Sequence, residues 1–200
     1  MKIPFVGQAY TLRSKSLAAQ QCVNFYVERS EVNPEQMALY GTAGTRKLQT
    51  LPDTGGIRQL YVPSTGKAIA VQGRKVYRVD GNFNYTAVFG ADLLSSSGYV
   101  CITDNGTVAV LVDGLHGYVL DLQTNILTQI VNEAFYGADR VGFIDGYFIF
   151  NKPNTQQFYI STLYGTDFNA LDFASAEGAP DLLVSLLVDH REVWMFGEST

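Results

Sequence analysis

The chain repeats itself. Three turns, Ser64-Thr65-Gly66, Asp104-Asn105-Gly106 and Ile144-Asp145-Gly146, place their glycines 40 residues apart. Each is followed by a strand-favouring run, at residues 67–72, 107–112 and 147–150. A second anchor keeps the same beat: Tyr77, Tyr118 and Tyr159 recur every 41 residues, beside Val76, Val119 and Ile160. A fourth copy opens at Asp189-His190-Arg191 and runs into Glu192-Val193-Trp194-Met195-Phe196. A period of about 40–45 residues with several short strands per copy is the pattern of a propeller blade. A helical repeat would place apolar residues at i, i+3, i+4 and i+7. These runs instead alternate, or stay apolar for four to six residues, before meeting Gly, Asn or Asp.

One four-stranded sheet cannot bury both faces alone, whereas blades stacked around an axis cover each other. The expected fold is therefore all-β: a β-propeller of four-stranded antiparallel blades. The innermost strand of each blade should be the most apolar, which points to Val108-Ala109-Val110-Leu111-Val112 and Tyr147-Phe148-Ile149-Phe150. Outer strands should alternate, as Lys75-Val76-Tyr77-Arg78-Val79 does. Asn105-Gly106 predicts a type I′ hairpin turn, which needs positive φ at both central residues.

Residues 57–200 divide into consecutive blades, the last incomplete. Residues 1–56 form an N-terminal segment: a strand at 24–27, a polar loop at 30–36, a glycine-rich turn at 39–45, and a closing strand for the last blade. Three full repeats and the start of a fourth fall short of the four to eight blades of a closed propeller. The expectation is a truncated portion of a larger one.

Charge and composition narrow the function. The net charge is −5, and Arg13, Lys15, Arg46, Lys47, Arg74, Lys75 and Arg78 are scattered, so there is no basic footprint for direct, sequence-specific nucleic-acid binding. No stretch approaches the ~20 apolar residues of a membrane helix, and the start lacks a signal-peptide pattern. Two cysteines, Cys22 and Cys101, are not a disulfide framework. They read as reduced thiols made in a reducing compartment, with a bridge between them left open.

Nothing in the sequence assembles a reaction centre. His116 and His190 each sit in a turn with no partner ligands at metal-site spacing. Ser95-Ser96-Ser97 lacks the Gly-x-Ser-x-Gly elbow. Asp104-Asn105-Gly106 opens like a calcium loop but lacks its later ligands. Asp139, Asp145, Asp167 and Asp172 are the carboxylates a propeller glycosidase could pair, yet Asp145 belongs to a repeated turn. The expectation is no catalytic, cofactor-binding or metal residue and no cofactor. Trp194, in an apolar run, reads as core or inter-blade packing.

Laid out as blades, the chain resembles a viral family. The elements that carry this are Val23-Asn24-Phe25-Tyr26, Leu39-Tyr40-Gly41-Thr42-Ala43-Gly44, residues 73–79, 155–161 and 171–177, and the closing Arg191-Glu192-Val193-Trp194-Met195-Phe196-Gly197-Glu198-Ser199-Thr200. They are similar to the packaged-DNA stabilisation proteins, also called tail accessory or tail hub proteins, of short-tailed bacteriophages. The resemblance runs along nearly the whole chain, as a pattern without one diagnostic motif. It implies a non-enzymatic virion protein in the phage tail, made in the bacterial host cytoplasm. Such a protein forms a ring, meets the portal and other tail proteins, closes the DNA channel after packaging and offers attachment for further parts. The alternatives are a generic propeller scaffold and a propeller glycosidase or lactonase. A WD40-type scaffold would carry Gly-His and Trp-Asp pairs in each blade, and neither pair occurs.

Overall fold

The computed structural model describes residues 10–11, 19–20, 23–33, 37–176, 178 and 181–199. It divides into two compact units, residues 1–48 and 49–200. Among the described residues there is no helix. The first unit pairs β1 (Tyr10–Thr11) with β2 (Ala19–Gln20), and β3 (Phe25–Arg29) with β4 (Met37–Gly41), both antiparallel. Leu39-Tyr40-Gly41 is therefore strand, not the glycine-rich turn expected; Tyr26 and Tyr40 face each other across the hairpin with stacked rings 5.7 Å apart. That cross-strand pair holds a strand together.

The second unit is a series of antiparallel sheets. The first blade is β5 (Ile57–Tyr61), β6 (Ala68–Gln72), β7 (Lys75–Val79) and β8 (Tyr85–Ala87), in that order. A two-residue strand, β9 (Phe89–Gly90), leaves it and pairs in parallel with the outer edge of the second blade. That blade is β10 (Cys101–Asp104), β11 (Val108–Val112), β12 (Gly117–Asp121) and β13 (Ile126–Gln129). The third is β14 (Val141–Ile144), β15 (Tyr147–Asn151), β16 (Gln157–Ser161) and β17 (Phe168–Ser175); the hairpin β18 (Leu183–Asp189) and β19 (Glu192–Gly197) follows. The first strands of successive blades, β5, β10, β14 and β18, approach one another. They converge on the axis while the later strands fan outward.

The most apolar strands are not the innermost. β11 and β15 are second in their sheets, and β10 and β14 lie inside them. This corrects the expectation, and the reason is geometric: a second strand has a strand on each side and a blade on each face. β11 shows it residue by residue. Ala109 and Leu111 enter a core with Ile69, Val71 and Val76 of the first blade. Val110 and Val112 enter a second core with Phe148, Phe150 and Tyr159 of the third. The period of two along a strand divides one segment between two cores.

The repeated glycines all have left-handed backbone, Gly66, Gly106 and Gly146 at φ of 90°, 87° and 90°. The turns around them differ. Asp145 and Gly146 both have positive φ, as a type I′ hairpin requires. In the second blade, Asn105 instead flanks the turn, donating its N–H to Val108 O at 3.1 Å. Gly106 is then the first of two loop residues and Asn105 is not in positive φ, a type II′ pattern rather than the expected I′. In the β18–β19 hairpin His190 and Arg191 take positive φ (46° and 65°) without any glycine.

Tyr77, Tyr118 and Tyr159 are all buried on third strands, β7, β12 and β16. The Tyr118 hydroxyl accepts the Leu94 N–H at 2.8 Å, and the Tyr159 hydroxyl donates to Gly137 O at 2.7 Å. Each thereby fastens the crossover that enters its own blade. Burial pushes the Tyr159 phenol far above its ordinary range.

Candidate interface: blade seams and blade ends

Polar side chains of the second unit join neighbouring blades at several seams. At the first seam Asp104, closing β10, accepts hydrogen bonds from Tyr61 Oη (2.6 Å), Ser64 Oγ (2.6 Å) and its own turn's Gly106 N–H (2.9 Å). Burial raises the Asp104 carboxyl, but these donors outweigh it and hold the group below the usual range. Tyr61 is pushed up to about 12, by burial first and then by the bond to Asp104.

Both shifts stabilise this seam, in different pH windows. The lowered Asp104 contributes above its unfolded value, near ~4, and loses the contribution as pH falls through its folded value. The raised Tyr61 contributes below its unfolded value, near ~10, and loses it as pH climbs to about 12. Urea midpoints measured across pH should thus fall at both extremes. Asp104→Asn should flatten the acid limb and Tyr61→Phe the alkaline one; unaltered limbs in both variants would refute the assignment.

Other bonds cross seams near the repeat spacing. Gln59 Nε2 donates to Tyr99 Oη at 2.9 Å, and the Arg140 guanidinium lies 4.8 Å from the centre of the Tyr99 ring. Cys101 Sγ contacts Val141 N and O at 3.5 and 3.7 Å. Between the third blade and the β18–β19 hairpin, Arg191 binds Asp145 at 2.8 Å.

One partly buried cluster was not foreseen. The Arg58 guanidinium donates to the carbonyls of Gly73, Ser95 and Gly98 and to Ser95 Oγ. Ser95 Oγ in turn donates to Asp113, whose side chain is 0% exposed and which also takes the His116 backbone N–H at 2.9 Å. Burial lowers the Arg58 guanidinium and Asp113 opposes that. The residue types are those of a hydrolytic triad but the order is wrong. Asp113 stands between Ser95 and His116, with His116 Nδ1 3.4 Å from the carboxylate, whereas an activated serine needs the imidazole between itself and the acid. The cluster clamps the seam through the Arg58 guanidinium, which Ser95 links to the buried Asp113 carboxylate. Arg58, Ser95 and the Asp113–His116 turn are far apart in sequence, and no local motif marks the set.

The other candidates from the sequence do not converge. Asp139 lies in the crossover before β14, Asp145 and Asp167 at turns at the opposite end of that blade, and Asp172 on its outer strand. His190 is in an exposed turn beside Asp189. Trp194 is 54% exposed, so it is not the packed core residue expected. Cys22 lies outside the described residues; Cys101 is a free, half-buried thiol. Among the described residues no three His, Cys, Asp or Glu side chains are grouped to hold a metal, and no helix is long and apolar enough to cross a membrane.

Together the sheets and seams define an all-β propeller protein whose polar networks join its own blades. The family model described as Bacteriophage P22 Gp10, beta-propeller, matches residues 1–200, and the chain belongs to that family of phage stabilisation proteins. It is thus a phage structural protein. No match was found among curated proteins.

Proposed function

We propose that the chain acts in the virion tail as a non-enzymatic hub. It closes the portal channel after packaging, keeps the packaged DNA in place and offers attachment for further tail proteins. The family match over residues 1–200 carries this reading. The seams support it, since their charges and hydroxyls are engaged in joining blades. Copies assemble as a ring against the portal, so modest contacts add through avidity. The protein is made in the host cytoplasm and needs no cofactor.

The test uses phage particles that have packaged DNA but lack this protein. Adding the protein should raise the fraction that retains DNA, and retention should climb steeply with its concentration as a ring fills. Particles that bind the protein yet leak DNA at the same rate would refute the role.

A further inference from the structure

Strands in a blade alternate in direction, so the turns β5–β6, β7–β8 and their counterparts all lie at one end of the blades. Two aromatic residues at that end occupy left-handed backbone, Phe83 at φ 64° and Tyr164 at φ 54°. Tyr164 is the third residue of a turn closed by the Gly165 N–H on Thr162 O at 3.0 Å, a place where Gly or Asn is usual. The matching turn of the second blade has Asn125, at φ 58°, a residue that tolerates the conformation. Yet Tyr164 is 72% exposed and Phe83 46%. Burial of these rings therefore offsets little of the backbone strain. Strained residues gather at binding sites, and tyrosine is a favoured interface anchor.

The charge at this end is one-sided. Asp80, Asp121, Asp167, Asp189 and Glu192 lie on or beside these turns. Against them stand Lys67, an Arg191 already bound to Asp145, and Arg78, which is buried with its guanidinium on Lys67 O and Asn125 Oδ1. Bonds from Asn84 lower the Asp80 carboxyl, and the Thr124 and Gln123 amides lower that of Asp121, so both stay ionised at neutral pH.

We propose that this end is a docking face for another virion protein with a basic surface, anchored by Tyr164 and Phe83; this rests on the structural role proposed above. A second copy of this chain fits less well. The cations at the opposite end are engaged within their own chain: Lys75 by Asp92, Arg74 by Leu93 O, Arg140 over Tyr99 and Lys152 over Tyr136.

The test is cosedimentation with purified phage particles that have packaged DNA and lack this protein. Tyr164→Asn suits the same backbone and keeps the N–H that binds Gly146 O. It should leave the melting midpoint unchanged or higher and weaken binding at least tenfold. Asp167→Asn with Glu192→Gln should also weaken binding, and should reduce its loss with added salt. If the parent binds and all these variants bind equally well, the face is wrong while the tail role stands. If the parent does not bind at all, the tail role fails and this proposal with it. If Tyr164→Asn changes self-association but not particle binding, the occupant is a second copy and the proposal is overturned.

Discussion

Replacing Phe150 with alanine should cost about 3–5 kcal/mol, the usual loss for a large aromatic taken from a packed core. Phe150 is fully buried on β15. Its ring stacks on Tyr159 at 5.1 Å and meets Phe135 and Phe168 edge-on at 5.9 and 5.3 Å. These rings form much of the core shared by the second and third blades, so the cavity would open at the seam itself. Urea unfolding followed by circular dichroism gives the measurement. The half-exposed Trp194 is the control, and Trp194→Ala should change stability by less than about 1 kcal/mol. Equal losses in the two variants would show that the buried seam is not where the stability resides.

Gly90→Ala should be nearly as severe, at about 3–5 kcal/mol, for a different reason. Gly90 has φ of 99°, a region that costs a side-chain-bearing residue about 1–3 kcal/mol. A methyl group there would also collide with the Leu127 carbonyl oxygen. That oxygen is backbone, so relief requires β9 to leave β13. The Phe89 N–H on Asn125 O (3.0 Å) and the Ala91 N–H on Leu127 O (2.9 Å) would go with it, at about 1 kcal/mol net each. Hydrogen exchange should then show the Phe89 and Ala91 amides unprotected. Gly81→Ala meets open space and ordinary backbone, and should leave both amides protected. Retained protection in Gly90→Ala would mean that the parallel clasp does not form.

The repeat was legible in the sequence because its demands are local. A left-handed turn position selects glycine, and Gly66, Gly106 and Gly146 answered at equal spacing. The buried third-strand position selected Tyr77, Tyr118 and Tyr159 in the same way. Other features depended on what lies across a seam. Hydrophobicity measures burial on two faces, so it picked out β11 and β15 but could not tell second place from innermost. The His190–Arg191 turn carries no glycine to announce its geometry, and Tyr164 occupies a place its side chain disfavours. β9 is too short to display a period. The cluster of Arg58, Ser95, Asp113 and His116 joins two blades and a crossover, and no spacing along the chain reports it.

The division of β11 between two cores has a consequence for synthesis. The first core cannot be completed before Leu127 has emerged from the ribosome, nor the second before Phe168. Between those moments the same strand is sealed on one side and bare on the other. At ~5–20 residues per second the interval lasts roughly 2–8 s, ample for an exposed row of valines to meet the wrong surface. Each new blade thus shelters the one made before it, and the nascent chain always carries one unfinished flank.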